Sequence, residues 1–284
     1  MKITKYFYKA GKEKLIDRVQ LLKNRTQPMT TQYIKMFKKD LQSIQLTGNV
    51  AVLYAGGAGV HNAEGRNYSG SFTSTQPIME AGPVIRDLQA YMLHKYIGIL
   101  VNKNNIIYAN VNSNTCASSF YSIYEAEQLI NRGIVDHAII ISEEKTSLNT
   151  MRIFHEHNIP LKIGEGFACI VLSKEGIGTT IRDTKWKYKY DKNPFMVSEE
   201  GYSKVYTECD MVKGHQTGTT QNDEAEKAAF GDKVFGYKKE IGHAQGASGL
   251  IELCILLDDN KVKGNILCAA SGLGGFYGSC IVEK

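Results

Sequence analysis

The apolar runs in this chain are short. Positions 50–54, 138–141 and 167–172 hold four to six consecutive apolar residues, and stretches with helical periodicity lie between them. Runs of that length suit buried strands and fall far short of the roughly 20 residues a membrane helix needs. Strands alternating with amphipathic helices restrict the chain to the α/β class, in which helices cover the faces of a sheet. The pattern predicts strands at 49–55, 106–111, 138–142, 167–173, 233–237, 265–270 and 278–283. It also predicts an exposed or edge strand at 179–190, where polar and apolar residues alternate. Helices are expected at 83–97, with Pro83 in the first turn, and at 118–132 and 247–258. Residues 11–45 read as two amphipathic helices broken near Pro28, and the Gly/Ser-rich stretch 61–78 reads as a loop.

The order of elements occurs twice. In the first block a strand leads to Cys116, then come a helix, an apolar strand from Ala138 and a last strand from Phe167. In the second a strand leads to His243, then come a helix, an apolar strand from Asn265 and a last strand from Gly278. The spacing is 22 residues both times (138 − 116 and 265 − 243). This is a weak internal repeat without sequence identity, and it suggests a duplicated α/β unit whose strand-to-helix corners face one site. The expected division is an N-terminal half, residues 1–174, and a C-terminal half, residues 175–284.

Composition narrows the setting. The 284 residues carry a net charge of +5, but residues 1–45 hold eleven Lys/Arg against three acids, so the excess is assigned to an N-terminal arm and the rest sums to −3. The basic start is not followed by an apolar segment of the secretory kind. Six cysteines lie far apart with no CxxC pair, and four of them sit in apolar runs. That usage argues against a structural zinc site and for a reducing, cytoplasmic setting. No aromatic-interleaved basic motif supports nucleic-acid binding, and neither GxxxxGK[ST] nor a GxGxxG after a strand is present.

Three polar positions carry reactive chemistry. Cys116 lies in Asn114-Thr115-Cys116-Ala117-Ser118-Ser119, between a strand and a helix. There the helix dipole and unpaired N–H groups are expected to favour the nucleophilic thiolate and to stabilise an oxyanion on a bound thioester. His215 lies in a Gly/Thr-rich turn, and His243 in Gly242-His243-Ala244-Gln245-Gly246 just before a helix. Small neighbours leave room for a ligand beside each ring. Together the three residues supply a nucleophile and two proton or hydrogen-bond groups. Gly272-Leu273-Gly274-Gly275, between the last two strands, allows close backbone approach to a ligand.

These motifs, in this order, resemble the β-ketoacyl-acyl carrier protein synthases, condensing enzymes of the thiolase superfamily. Cys116-Ala117-Ser118-Ser119 with Gly133, Asp136 and Glu144 is similar to the family's nucleophile segment, and Gly164-Glu165-Gly166-Phe167-Ala168 to the strand entry after it. His215-Gln216-Thr217-Gly218-Thr219 with Asp223 and Glu226 resembles the first histidine motif. Lys238 through Gly242-His243, with Gly249 and Glu252, resembles the second, and Gly272 to Gly275 the terminal glycine turn. The chain is shorter than a typical member. It departs from the family pattern at Thr115, Gln216, Glu240, Leu273 and Tyr277, which stand where the family has Ala, Gly, Asn, Phe and Asn.

The resemblance implies a thiolase-like fold: two pseudo-symmetric α/β halves in a layered αβαβα arrangement. It implies acyl transfer to Cys116 and decarboxylative Claisen condensation with a malonyl-carrier protein. His215 and His243 would stabilise the enolate, and Lys238 and Glu252 would pair to hold the histidines. Backbone N–H groups of Cys116 and Leu273 would bind the oxyanion, with Leu273, Gly274 and Gly275 forming the gating turn. A second His at 243 is similar to the elongating class. The implied partners are an acyl carrier protein, steered by the N-terminal charge or by the lysines near 185–192, and a second ketosynthase-type subunit in a homo- or heterodimer. No metal, cofactor, nucleic acid or membrane is implied. Acyl transfer through Cys116 without C–C bond formation, or a chain-length partner subunit, are the alternatives.

Overall fold

The computed structural model describes residues 1–12, 30–56, 78–144 and 162–284. Among these residues ten strands form one hydrogen-bonded sheet: β1 (Lys2–Lys12), β2 (Asn49–Gly56), β3 (Asn105–Asn112), β4 (His137–Glu144), β5 (Gly164–Ser173), β6 (Thr179–Tyr188), β7 (Met211–Lys213), β8 (Val234–Phe235), β9 (Asn265–Gly272) and β10 (Phe276–Glu283). The helices are α1 (Thr30–Gln42), α2 (Ile78–Leu100), α3 (Ser118–Asn131), α4 (Glu199–Ser203), α5 (Thr220–Phe230), α6 (Lys238–Ile241) and α7 (Ser248–Asp258).

The strand order is β3-β2-β4-β5-β1-β6-β10-β9-β7-β8. Read from the centre outward, the two sides are the same. In the first, β3, β2 and β4 are parallel, β5 is antiparallel to β4, and β1 is antiparallel to β5. In the second, β8, β7 and β9 are parallel, β10 is antiparallel to β9, and β6 is antiparallel to β10. Among the described residues, the sheet pairs Lys2↔Thr180 and Ile3↔Thr179 join the sides, and an isolated parallel bridge, Ile163↔His243, ties the entry of β5 to the second half.

Alternation along the strands places three cores around these sheets. The inward residues Leu53, Ile140, Ile170, Ile266 and Val282 pack with Phe120 and Ile123 of α3 and Leu250 and Ile251 of α7 in a central core. The residues between them, such as Val52, Ile139, Ile141 and Val171, face outward and are covered by Leu41 of α1 and Met92 and Tyr96 of α2. On the other side Leu267, Ala269 and Ile281 are covered by Tyr202 of α4 and Phe230 of α5. The layers are therefore helix, sheet, helix pair, sheet, helix, as the sequence motifs implied. The buried runs at β2, β4 and β5 are apolar on both faces because a core lies on each side.

Three expectations need correction. The first residues are not an arm: β1 is a central strand, pairing with β5 along its length. A bulge between Ile3 and Lys5 breaks its alternation, which hid the strand among lysines. Some of that charge is spent locally, since Lys2 bonds Thr180 and Lys5 bonds Ser43 at 2.7 Å. Secondly, β6 is not an edge strand but lies between β1 and β10. Its polar alternation reflects one face that is only partly covered. Thirdly, α2 begins at Ile78, so Pro83 lies inside it and not in its first turn. The helix expected before Pro28 and the loop expected at 61–78 lie almost wholly outside the described residues.

The repeat is also registered differently from the 22-residue spacing. Thr115–Ala117 and Gln245–Ala247 are both single 3₁₀ turns, each leading directly into a central helix, α3 or α7. Both open on a non-glycine residue in the left-handed region, Thr115 at φ 51° and Gln245 at φ 40°. The structural counterpart of Cys116 is thus Gly246, three residues past His243. By the same offset Ser119 matches Gly249, and the two meet where α3 crosses α7. A Cβ at Gly249 would lie 3.0 Å from Ser119 Cβ and 2.9 Å from the Phe120 ring. Glycine there sets how closely the central helices approach.

Candidate active site

The two central corners and two loops of the second half bring the polar residues together. Cys116 sits in the turn before α3 and keeps part of its surface open. Holding β-branched Thr115 in the left-handed region costs on the order of 1–3 kcal/mol, so the surroundings must enforce this corner. Ser118 Oγ accepts from Asn114 N at 2.8 Å, and its single proton is shared between Thr115 O at 2.7 Å and Gly56 O at 3.0 Å. From above, Gly272 presses on the same corner, since a Cβ there would lie 2.6 Å from Asn114 O.

His215 follows β7 and is held through its backbone. Glu226 of α5 accepts from the His215 and Gln216 N–H groups, and from Gln216 Nε2 at 2.9 Å. Gln216 takes φ 43°, a conformation natural to the glycine of the resembled motif, and its amide contact with Glu226 secures the residue in it. His243 follows α6, with Nδ1 2.9 Å from Ser248 Oγ. That contact fixes the ring and occupies Nδ1. The imidazoles lie 5.0 Å apart between centroids, nearly perpendicular at 85°. Cys116 Sγ and one nitrogen from each ring lie within 4.8 Å of one another.

Beneath the histidines lies a buried ionic cluster. Glu252 of α7 accepts from Lys238 Nζ on one oxygen and from Lys213 Nζ at 2.7 Å on the other. The Lys238–Glu252 pair matches the resembled motif; Lys213 is an addition that sequence reading missed. Its only signal was a lysine at the end of an apolar strand, two residues before His215. Burial works against the charge of both lysines. The carboxylate outweighs it at Lys213, which is held above its usual value, but not at Lys238, which is held below.

The electrostatics of the thiol differ from expectation. Burial pushes the Cys116 thiol up to about 12; Lys238 opposes the rise and Glu144 adds to it. The turn lies at a helix start, yet desolvation outweighs any help from the helix end. Burial, together with Lys238, also holds His215 and His243 well below the ordinary histidine value. The resting site is therefore a neutral thiol facing two neutral imidazoles. We expect iodoacetamide labelling of Cys116 to be slow at pH 7 and to keep rising with pH beyond 9, because only the thiolate reacts. Peptide mapping of the labelled cysteine across pH checks this.

The glycine turn is only partly at the site. Leu273 is 38% exposed beside the Cys116 turn, and its carbonyl accepts from Thr115 Oγ1 at 3.4 Å. Gly274 N donates instead to Pro194 O at 2.8 Å, and Gly275 O accepts from Lys189 N at 2.8 Å. Those two glycines, at φ 90° and 87°, shape the turn and are engaged away from the thiol.

No family model and no curated protein matches the chain. Solved structures do. The oxazolomycin ketosynthase domain of Streptomyces albus superposes with a TM-score of 0.66 at 13% identity, over 90% of this chain and 59% of that one. The fold is a ketosynthase fold. A β-ketoacyl synthase from Burkholderia phymatum matches with a TM-score of 0.64 at 16% identity, over 84% of this chain and 76% of that one. The PfaC ketosynthase–chain length factor matches with a TM-score of 0.64 at 16% identity, over 95% and 35%. The chain thus spans 59% of the length of the first of these ketosynthases. Among the described residues, no helix is long and apolar enough to cross a membrane.

Proposed function

We propose that this protein is a condensing acyltransferase: Cys116 takes an acyl group from a carrier-protein thioester, and the acyl group then condenses with a malonyl thioester. The observation that carries this is the convergence of Cys116, His215 and His243 within 4.8 Å at the corner of a central helix. Residues 1–174 would supply the nucleophile and residues 175–284 the histidines.

In loading, Sγ attacks the thioester carbonyl and its proton passes to an imidazole of the pair. The C–S bond to the carrier breaks, and the departing thiolate recovers the proton. The oxyanion is bound by the backbone at Cys116 and Leu273, the residue of the glycine turn that lies beside the Cys116 turn. In condensation, the neutral imidazoles donate to the malonyl thioester oxygen. CO₂ leaves, the enolate forms, its carbon attacks acyl-Cys116, and the Cys116 thiolate departs and is reprotonated. Imidazoles held neutral suit donation without repelling or trapping a proton. Glu252, Lys238 and Lys213 act as positioning residues beneath them.

Lys187 and Lys192, near the Leu273 turn, are the candidate contacts for an acidic carrier protein, since Lys185 and Lys189 are partly engaged with Tyr206 and Glu200. Retention of the cysteine favours a catalytic subunit over a purely structural partner. Intact-protein mass spectrometry after exposure to an acyl carrier protein should show one acyl mass on the wild type and none on Cys116→Ala. Equal acylation of both would remove Cys116 as the acceptor.

A further inference from the structure

Cys116, His215 and His243 are also a ligand set. One thiol and two imidazole nitrogens lie within 4.8 Å of one another, and a tetrahedral ion would draw them together to about 3.5 Å between ligand atoms, given the usual Zn–S and Zn–N lengths. Two further observations point to a ligand. His215 Nδ1 is buried and finds no hydrogen-bond partner among the described residues. His243 Nδ1 is held by Ser248 Oγ, the outer contact by which metal-ligating histidines are usually oriented. The buried charged side chains among the described residues are two lysines, Lys213 and Lys238, and four acids, Glu143, Glu144, Glu226 and Glu252. Cys116 is half-buried, so part of the residue meets solvent.

We propose that these three residues bind a borderline or soft divalent transition-metal ion, with zinc as the physiological candidate, and that the bound ion blocks acylation of Cys116. Binding replaces the thiol proton: Cys–SH and M²⁺ give Cys–S–M⁺ and H⁺. The sulfur lone pair that would attack a thioester is then committed to the metal, and a fourth position stays open to water or a small thiol. The binding part stands independently of the function proposed above; the blocking part rests on it.

Cobalt(II) is the probe, titrated into the reduced full-length protein. The expected result is a sulfur-to-cobalt charge-transfer band with tetrahedral d–d bands, saturating at one equivalent and displaced by zinc but not by magnesium. The charge-transfer band should vanish in Cys116→Ala and persist in Cys209→Ala. Ser248→Ala should weaken binding roughly tenfold through loss of the outer contact. One equivalent of zinc should also protect Cys116 from iodoacetamide and prevent acyl loading, with both restored by a chelator. Absence of the band in the wild type, or its persistence in Cys116→Ala, overturns the proposal. If metal-free protein never acylates while the cobalt band behaves as expected, the functional reading fails and the metal site stands. If acylation occurs and zinc leaves it unchanged, the blocking role fails.

Discussion

His243→Ala should leave acyl loading of Cys116 largely intact while slowing CO₂ release from a malonyl carrier thioester by about 10²–10³-fold. That is the usual cost of losing one donor to a developing oxyanion. The asymmetry follows from the geometry. Loading needs the thiol and an acceptor for its proton, and His215 remains. Decarboxylation builds negative charge on one oxygen, and the perpendicular rings 5.0 Å apart suit two donors converging on a single atom. Ser248→Ala should act in the same direction and more weakly, because it frees the His243 ring without removing it. The measurement pairs intact-mass detection of the acyl-enzyme with capture of labelled CO₂. Equal loss of both steps would mean that His243 holds the corner together and is not a donor in the second step.

Glu252→Leu should be the most destabilising change at the site, by about 3–5 kcal/mol, because it leaves two buried ammonium groups without the carboxylate that pairs them directly. Both partners and the carboxylate are at most 3% exposed, so water cannot take its place. Removing one lysine as well should recover part of the loss: Lys213→Met with Glu252→Leu should be more stable than Glu252→Leu alone. Chemical denaturation of the single and double variants reads this directly. If Glu252→Leu unfolds within 1 kcal/mol of wild type, the cluster does not carry the structural weight given to it.

Much of the fold was legible in the residues. Short runs apolar on both faces marked β2, β4, β5, β9 and β10, and the doubled order of elements reappears as matching strand order on the two sides of the sheet. β1 was not legible, because its hydrophobic alternation is broken by a bulge and its residues are largely Lys and Tyr. Its role as the central strand comes from long-range pairing with β5 and β6 that no local pattern records. The register of the repeat was off by three residues. Two reactive side chains, Cys116 and His243, stand out in the sequence, whereas the structural match is between two left-handed backbone positions, Thr115 and Gln245. Cys116, His215 and His243 were legible as candidates because small residues surround each one. The ionisation of the thiol was not, since the helix start is visible in the sequence and the depth of burial is not. Lys213 escaped notice because its partner, Glu252, is 39 positions away.

The central claim is that a single cysteine–histidine–histidine site joins two acyl units. Incubating the purified, metal-free protein with an acyl carrier protein and a labelled malonyl carrier protein, then resolving the carrier-bound products by mass, tests it most directly. The expected result is a β-ketoacyl thioester, longer by two carbons with one CO₂ released per product, absent from Cys116→Ala. Acylated Cys116 with no new carbon–carbon bond would contradict the claim and leave a simple acyl carrier in its place.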